Sequence, residues 1–324
     1  MKGYFKKTVF LIILIFIICC HCRGWALQKL QVVTSIFPLQ EFARVVGSER
    51  VNVEIFLPPG TEPHTWRPRP VEIVNLSKAD IFIYIGSGME PWVEDLLEGI
   101  KSDSLLIIEA SEGLDLISAE ESGRDFPEKK ADQNNNSPVK HGSGHHYQRM
   151  DPHIWLDFEN DQKIIDKIVR VFSSKDPEGT AIYTQNGKRY KEKLAELDRK
   201  YSKGLRSCER SEILMGGHAT FSYIARRYGL KQISLYGLSP DAEPKPREMA
   251  EIIDFAGSKG IKAVFIEKFI NDRLARIIAE EIGAYVLVLN PGPNLTGKER
   301  ESGITFISIM EDNLINLMKG LGCE

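Results

Sequence analysis

The sequence predicts an α/β protein in which two parallel-sheet α/β lobes are joined by one long connecting helix. In each half of the chain, short apolar runs rich in Val and Ile alternate with amphipathic helical patterns. Continuous apolar strands separated by helices are typical of parallel sheets that are covered on both faces. A long stretch of mostly helical spacing separates the two halves. The 324 residues, 42% apolar and 27% charged, fit about two domains of ordinary globular composition.

Four strands are predicted in the first half, because each is an apolar run of strand length. They are Leu30–Ser35, Val51–Leu57, Asp80–Gly86 and Leu105–Glu109. The helical patterns that lie between these strands are Leu39–Val46, Pro70–Lys78 and Pro91–Ile100.

The second half repeats the scheme with four more strands. They are Ile213–Gly216, Gln232–Tyr236, Ala263–Ile266 and Val286–Leu289. Its predicted helices are Phe221–Tyr228, Pro246–Lys259, Arg273–Ile282 and Phe306–Leu321.

Between the halves, residues 180–207 predict a single long helix, since apolar and aromatic side chains recur there at mostly helical spacings. A helix of that length spans about 40 Å, and its most direct role is a stiff connector. The predicted parts of the exported chain are an N-terminal lobe over 27–175, a connecting helix over 176–207 and a C-terminal lobe over 208–324.

Residues 1–26 predict a secretory signal peptide that is cut after Ala26. Lysines precede an apolar run that is shorter than the roughly 20 residues of a membrane-spanning helix. The small residues Gly24 and Ala26 then stand three and one before the cut. The protein is therefore expected to be exported. Its expected location is the periplasm, and it is separately expected to be a monomer.

Lipidation is the alternative form of processing. Cys19, Cys20 and Cys22 are the candidate acylation sites, although none of them follows a small residue. Removal of residues 1–26 takes away four basic side chains and no acidic one, which lowers the basic total from 42 to 38 against 45 acids. The exported chain then carries a formal charge of −7, and its bulk charge does not indicate a nucleic-acid partner.

Two further features leave alternatives open. Cys208 and Cys323 remain after export and could form one disulfide in an oxidising compartment, but sequence alone cannot show that they meet. The polar segment 118–148 is too poor in apolar residues to build a core and is expected to be mobile. Its histidines could collect metal weakly and pass it on, or simply belong to a solvated linker; they are His141, His145 and His146.

Three histidines elsewhere are the candidate metal ligands. His64 lies in the loop PPGTEPHTWRPRP, His153 in DPHIWLD, and His218 follows a predicted strand through two glycines. Ligands of open α/β sheets bind beyond the carboxyl ends of strands, where His64 and His218 are placed in opposite lobes. Three neutral imidazoles would suit Zn²⁺, and also Cu, Ni and Co, whereas Mn²⁺ favours carboxylate and water. Taken singly, a histidine in a loop is more often an ordinary surface or hydrogen-bonded residue than a metal ligand.

The chain resembles the zinc/manganese-type periplasmic solute-binding proteins of ABC importers (metal-binding cluster A-I), and most closely their zinc-uptake branch. The matching stretches, in the family's order, are PPGTEPHTWRPRP, ADIFIYIGSGMEPWVEDL, DPHIWLD, GGHATFSYIARRYGL and SPDAEPKPREM. The likeness covers residues 28–320. It implies two α/β lobes joined by a long helix, metal bound between them by His64, His153 and His218, and delivery to a membrane permease with its cytoplasmic ATPase.

The resemblance favours zinc as the transported ion, because manganese-selective members have a carboxylate in place of His218. Many members add an aspartate after the last strand, where this chain has Asn290. A neutral amide oxygen is a poor zinc donor, so the fourth position is open between Asn290, Glu62 and water. Glu243 and Glu267 also fall in matching stretches and are interpreted as helix caps or partners of buried amides.

Alternative functions remain beside zinc capture. The same kind of site could serve manganese or another divalent metal. A secreted zinc hydrolase would use three histidines and a metal-bound water, with Glu62 as its base, although the chain has no His-Glu-x-x-His motif. A surface adhesin is a third possibility. The favoured interpretation is a binding protein with no catalytic residue and no cofactor besides the transported Zn²⁺.

Overall fold

The computed structural model of the chain describes residues 28–100, 104–122, 150–238 and 246–324. Several sequence predictions lie outside these ranges: the signal peptide with Cys19, Cys20 and Cys22, the histidines His141, His145 and His146, and Glu243. Within the described ranges, no helix is both long enough and apolar enough to cross a membrane.

The first half forms a four-stranded parallel sheet in the order β2-β1-β3-β4. Its strands are β1 (Leu30–Thr34), β2 (Val51–Ile55), β3 (Ile81–Tyr84) and β4 (Leu106–Glu109). The helices of this half are α1 (Phe37–Gly47), α2 (Pro70–Leu76), α3 (Val93–Gly99) and the short α4 (Ala119–Ser122). In the central register, Val32 of β1 lies opposite Val53 and Ile81, and all three side chains are buried.

The second half repeats this arrangement in the order β6-β5-β7-β8, again all parallel. Its strands are β5 (Glu212–Met215), β6 (Lys231–Ser234), β7 (Ala263–Glu267) and β8 (Tyr285–Leu289). All eight predicted strands are present, so the predicted fold class is confirmed.

Helices α5 (Phe158–Lys175) and α6 (Thr180–Gly204) lie between the two sheets in sequence. The 25-residue α6 is the predicted long helix, and it ends three residues earlier than expected. It packs along α5, which the sequence analysis did not predict, although Ile164, Ile165, Ile168 and Phe172 recur on one buried face.

The helices of the second half are α7 (Ser222–Tyr228), α8 (Pro246–Ser258), α9 (Arg273–Ile282), α10 (Gly297–Glu301) and α11 (Phe306–Leu321). The long helix α6 contacts α1 in the first half and α11 in the second. It therefore packs against both halves instead of only connecting them.

One hydrophobic cluster runs continuously through both halves. It includes Val32 and Ile81 of the first sheet, Leu194 of α6, and Phe265 and Leu317 of the second half. Because the same cluster serves both sheets, apolar burial holds the halves against each other as well as folding each one.

Cys208 and Cys323 form a disulfide, which answers the question that the sequence left open. The backbone supports the same junction, since the Glu209 and Arg210 N–H groups donate to carbonyls at the end of α11. The chain's last helix is thus tied to the segment that enters β5.

Candidate metal site

The three candidate histidines lie on loops that converge between the halves. His64 lies in the loop after β2, and His218 lies in the loop after β5, at the carboxyl end of each strand as predicted. His153 stands directly before a short 3-10 turn, Ile154–Leu156, that leads into α5. Loops at strand ends provide the side chains, while the sheets fix where the loops begin.

The structure brings the three imidazoles into contact. The Nε2 atom of His153 lies 3.3 Å from the Nε2 atom of His64 and 3.3 Å from that of His218. One ligand atom from each residue lies within 4.8 Å of the others. Nitrogens bound to a tetrahedral zinc at 2.0–2.1 Å would be about 3.3–3.4 Å apart, so this spacing fits one zinc ion.

Asp151 fixes the orientation of His153. Its Oδ1 atom accepts the His153 backbone N–H at 2.9 Å and lies 2.8 Å from the ring Nδ1. Its Oδ2 atom accepts the Ser122 hydroxyl at 2.7 Å, and the carboxylate is fully buried. A carboxylate on Nδ1 orients the ring so that its other nitrogen points toward the cavity, the usual support of a metal-binding histidine.

Glu267, at the end of β7, plays the corresponding part for His218. Its Oε1 atom accepts the His218 backbone N–H at 3.0 Å, and its Oε2 atom accepts the Thr220 hydroxyl at 2.8 Å. The ring Nδ1 of His218 lies 2.9 Å from the same Oε1, but it makes no properly aligned hydrogen bond there. We take this contact as electrostatic. The sequence interpretation of Glu267 as the partner of a buried amide is confirmed.

The imidazoles of His218 and His64 differ in proton affinity. Burial lowers the pKa of His218, but the negative charges of Glu267, Glu62 and Asp151 outweigh burial, so the pKa is raised from its usual 6.5. The pKa of His64 lies well below that value because of burial and the neighbouring charges of His153 and His218. Among the described residues, no carboxylate contacts the His64 ring. His64 is thus held neutral, the form that binds metal.

The imidazoles face a small cavity of about 10 Å³, room for one ion or one water. Its walls come from both halves and include Glu62, Met89, Phe269, Pro291 and Pro293. The free space beside the imidazoles therefore matches a single small ion.

The two protein candidates for a fourth ligand are placed differently. The Oε1 atom of Glu62 accepts the His64 backbone N–H at 3.2 Å, and burial raises the pKa of this wall carboxyl. Asn290 lies outside the cavity lining, and its Oδ1 atom accepts the Gly292 N–H at 3.0 Å. Of the two, only Glu62 faces the imidazoles.

Two residues near the site had no role among the sequence predictions. Asp151 was visible as the first letter of DPHIWLD, two residues before His153, so its proximity carried a signal. Asn294 carried no such signal, since its side chain bonds to the loop of His64 across more than 230 residues of sequence.

Two parallel-sheet halves that enclose an imidazole cluster define a solute-binding protein of the metal-binding class. The family described as "ZnuA: Zinc-uptake complex component A periplasmic" matches residues 32–320. The chain belongs to this family, which is an extracytoplasmic, solute-binding one, and the resemblance inferred from the motifs is confirmed.

Individual relatives agree with the family match. The high-affinity zinc uptake system protein ZnuA of Bacillus subtilis (strain 168) is 32% identical over 294 residues, which cover 91% of this chain and 88% of that protein. The zinc-binding lipoprotein AdcA of Streptococcus pneumoniae is 32% identical over 300 residues, 93% of this chain but only 57% of the relative. The Zn(II)-bound ZnuA-like domain of S. pneumoniae AdcA superposes with a TM-score of 0.72 at 31% identity, covering 90% of this chain and 99% of that domain.

Proposed function

We propose that this chain captures Zn²⁺ outside the inner membrane through His64, His153 and His218 and delivers it to the permease of an ABC importer. The observation that carries the proposal is the 3.3 Å spacing of the imidazole nitrogens on two sides of His153. That spacing is the one expected when the nitrogens share a tetrahedral ion.

The donor set favours zinc over manganese. All three central donors are imidazole nitrogens, whereas Mn²⁺ prefers carboxylate, carbonyl and water oxygens. The carboxylates Asp151 and Glu267 lie behind the rings rather than at the centre. They offset the charge of the ion without replacing the nitrogen donors, and Glu62 or a water completes the tetrahedron.

Transport suits the cavity better than catalysis does. A hydrolase needs room beside its metal for a substrate, whereas this cavity of about 10 Å³ holds a single ion. We therefore propose a carrier without catalytic activity. We further propose the domain boundaries given above, export with cleavage after Ala26, and lipidation at Cys19, Cys20 or Cys22 as the alternative anchor.

The test is a competitive titration of residues 27–324, offered Zn²⁺ and Mn²⁺ together, with metal content measured per chain. His64→Ala, His153→Ala and His218→Ala are made singly. We expect one zinc per chain and an affinity loss above about 100-fold for each substitution, since loss of a ligand should exceed loss of its supporting partner.

A chain in which His141, His145 and His146 are all replaced by alanine is the matched control, and it should keep one tightly held zinc. A preference for manganese, or tight binding that survives all three single substitutions, would contradict the proposal. If tight binding survives all three single substitutions, His141, His145 and His146 would become the suspected site.

A further inference from the structure

Asn294 joins the second half of the molecule to the loop that carries His64. It lies between β8 and α10 and is fully buried. Its Nδ2 atom donates to the Pro58 carbonyl at 2.7 Å and to the Thr61 carbonyl at 2.9 Å. Both acceptors belong to the loop after β2, and Thr61 is three residues before His64.

The carbonyl oxygen of Asn294 is equally occupied. It accepts the Leu295 backbone N–H at 2.9 Å and the Arg300 Nη2 group at 2.8 Å. The same Nη2 group donates to the Leu57 carbonyl at 3.2 Å. Asn294 thus makes all four hydrogen bonds available to a primary amide, and a charged donor on its oxygen strengthens the donation from its nitrogen.

Neighbouring backbone bonds connect the same two surfaces. The Gly60 N–H donates to the Leu295 carbonyl at 3.1 Å, and the Phe37 N–H donates to the Pro293 carbonyl at 2.8 Å. Pro291 and Pro293 line the metal cavity. The contact between the halves therefore lies next to the cavity. Asn294 is one of its buried side-chain links, beside Trp155, whose Nε1 group donates to the Pro291 carbonyl at 2.7 Å.

His64 depends on its loop more than the other two histidines depend on theirs. Asp151 orients the His153 ring and Glu267 holds His218, whereas among the described residues no carboxylate contacts the His64 ring. Residues 57–64 form neither helix nor strand. The position of the His64 ring is consequently set by its backbone, and that backbone is fastened to the opposite half.

We propose that Asn294 is a positioning residue for zinc capture, which clamps the His64 loop so that its imidazole meets those of His153 and His218. The inference rests on the proposed function. Without the clamp, the loop can leave the second half, and His64 is the ligand that departs with it. The clamp should therefore act chiefly on how long zinc stays bound.

The decisive variant is Asn294→Asp, which keeps the shape and the acceptor for Arg300 but removes both N–H donors. A carboxylate facing the Pro58 and Thr61 carbonyls repels the loop, while its ion pair with Arg300 preserves local packing. We expect zinc affinity to fall by about 10–100-fold, mainly through faster release into a chelator, with the melting temperature of the zinc-free chain close to that of the wild type.

Asn313→Asp is the matched control. Asn313 is also a buried amide, and it exchanges hydrogen bonds with the backbone N–H and carbonyl of Asn290 within the second half. It contacts no part of the His64 loop among the described residues, so its variant should hold zinc within about threefold of the wild type. If Asn294→Asp does not fold, Asn294→Ser is measured by the same criterion.

Two outcomes would overturn the clamp. One is a wild-type release rate in the Asn294 variant; the other is an equal affinity loss in both asparagine variants. Either could occur while the single histidine variants still lose zinc, and the proposed function would then stand. Failure of the wild-type chain itself to bind zinc would instead overturn the proposed function.

Discussion

The three imidazoles of the site are chemically unequal although they converge on one point. His153 and His218 each have a buried carboxylate behind the ring, and His64 has only its loop. A carboxylate beside an imidazole stabilises a metal ion bound to the ring. It also stabilises a proton on the ring, because the metal ion and the proton are both cations. Proton competition at this site should therefore be strongest at His218, whose pKa is raised.

We predict that zinc affinity falls with decreasing pH from above pH 6.5. Zinc binds the neutral ring, and the raised pKa of His218 means that this ring is protonated at a higher pH than a free histidine. The affinity should fall by about tenfold per pH unit while one proton is displaced. His64 adds a second proton only well below pH 6.5, because its pKa is lowered. Competitive zinc titrations from about pH 8 downward through pH 6.5 measure the fall that His218 sets.

Glu267→Gln separates the two roles of the carboxylate. The variant should bind zinc more weakly at high pH, and the onset of proton competition should move to lower pH, since burial of His218 is then opposed only by the smaller effects of Glu62 and Asp151. An onset that stays at the wild-type pH would show that Glu267 does not set the proton affinity of His218.

At the scale of elements, α5 and α6 pack closely against each other. A Cβ atom built on Gly187 of α6 would come within 2.7 Å of the Val169 Cγ2 atom and 3.4 Å of the Ile165 Cγ2 atom, both on α5. Val169 is β-branched and stiff, so it cannot easily move aside. Glycine is therefore needed at position 187 for α6 to contact α5 closely, although glycine has a low helix propensity.

Gly187→Ala and Gly257→Ala should change stability in opposite directions. Gly187→Ala should lower the free energy of unfolding by about 1–2 kcal/mol, because overpacking exceeds the gain in helix propensity. Gly257 lies in α8 with nothing within 4 Å of its added Cβ, so its replacement should raise stability by about 0.5 kcal/mol. Urea unfolding of both variants measures the difference; a gain in both would mean that α5 and α6 are not in close contact at Gly187.

The sequence predicted the elements better than it predicted their contacts. The strands were found because a buried parallel strand is a continuous apolar run, and α6 because its spacing is helical over seven turns. The helix α5 was missed although its signal was present, with Asp157 as an N-cap and isoleucines on one face. The three histidines were found through motifs.

The supporting contacts of the site were less accessible to sequence reasoning. The Asn294 side chain bonds to carbonyls more than 230 residues earlier, and no local pattern encodes such a pairing. The same holds for Tyr223, whose hydroxyl donates to the carbonyl of Asp151 from the other half. Such contacts depend on how the halves meet, which follows from the whole packed core rather than from any single segment.

A hydrophobic cluster shared by both halves and a disulfide within the second half stabilise the described part of the chain. The hydrophobic cluster passes from the first sheet through α6 into the second, and the disulfide fixes the end of α11 to the entry of β5. The disulfide lies at the amino end of β5, whereas His218 follows its carboxyl end. The disulfide that stabilises the fold and the histidine that binds metal thus lie at opposite ends of β5.

Loss of the disulfide should weaken the fold without weakening zinc binding. Closing a chain segment of 115 residues restricts the unfolded state, so replacing Cys208 and Cys323 by serine should lower the free energy of unfolding by about 2–5 kcal/mol. Zinc affinity should stay within about twofold of the wild type, since the bridge lies away from the cavity. Denaturant unfolding and zinc titration, with and without reductant, test both parts; a parallel loss of zinc would show that the bridge also shapes the site.

The core that runs through both halves has a consequence for the lifetime of the protein in its compartment. When the free concentration of an ion is 100 times its dissociation constant, its binding stabilises the folded state by about 2.7 kcal/mol. Because the halves share that core, this protection extends to the whole chain, and a protease meets fewer opened molecules of the loaded form. We therefore expect proteases to degrade chains without cargo faster than loaded chains, so that the supply of metal affects how long each carrier lasts.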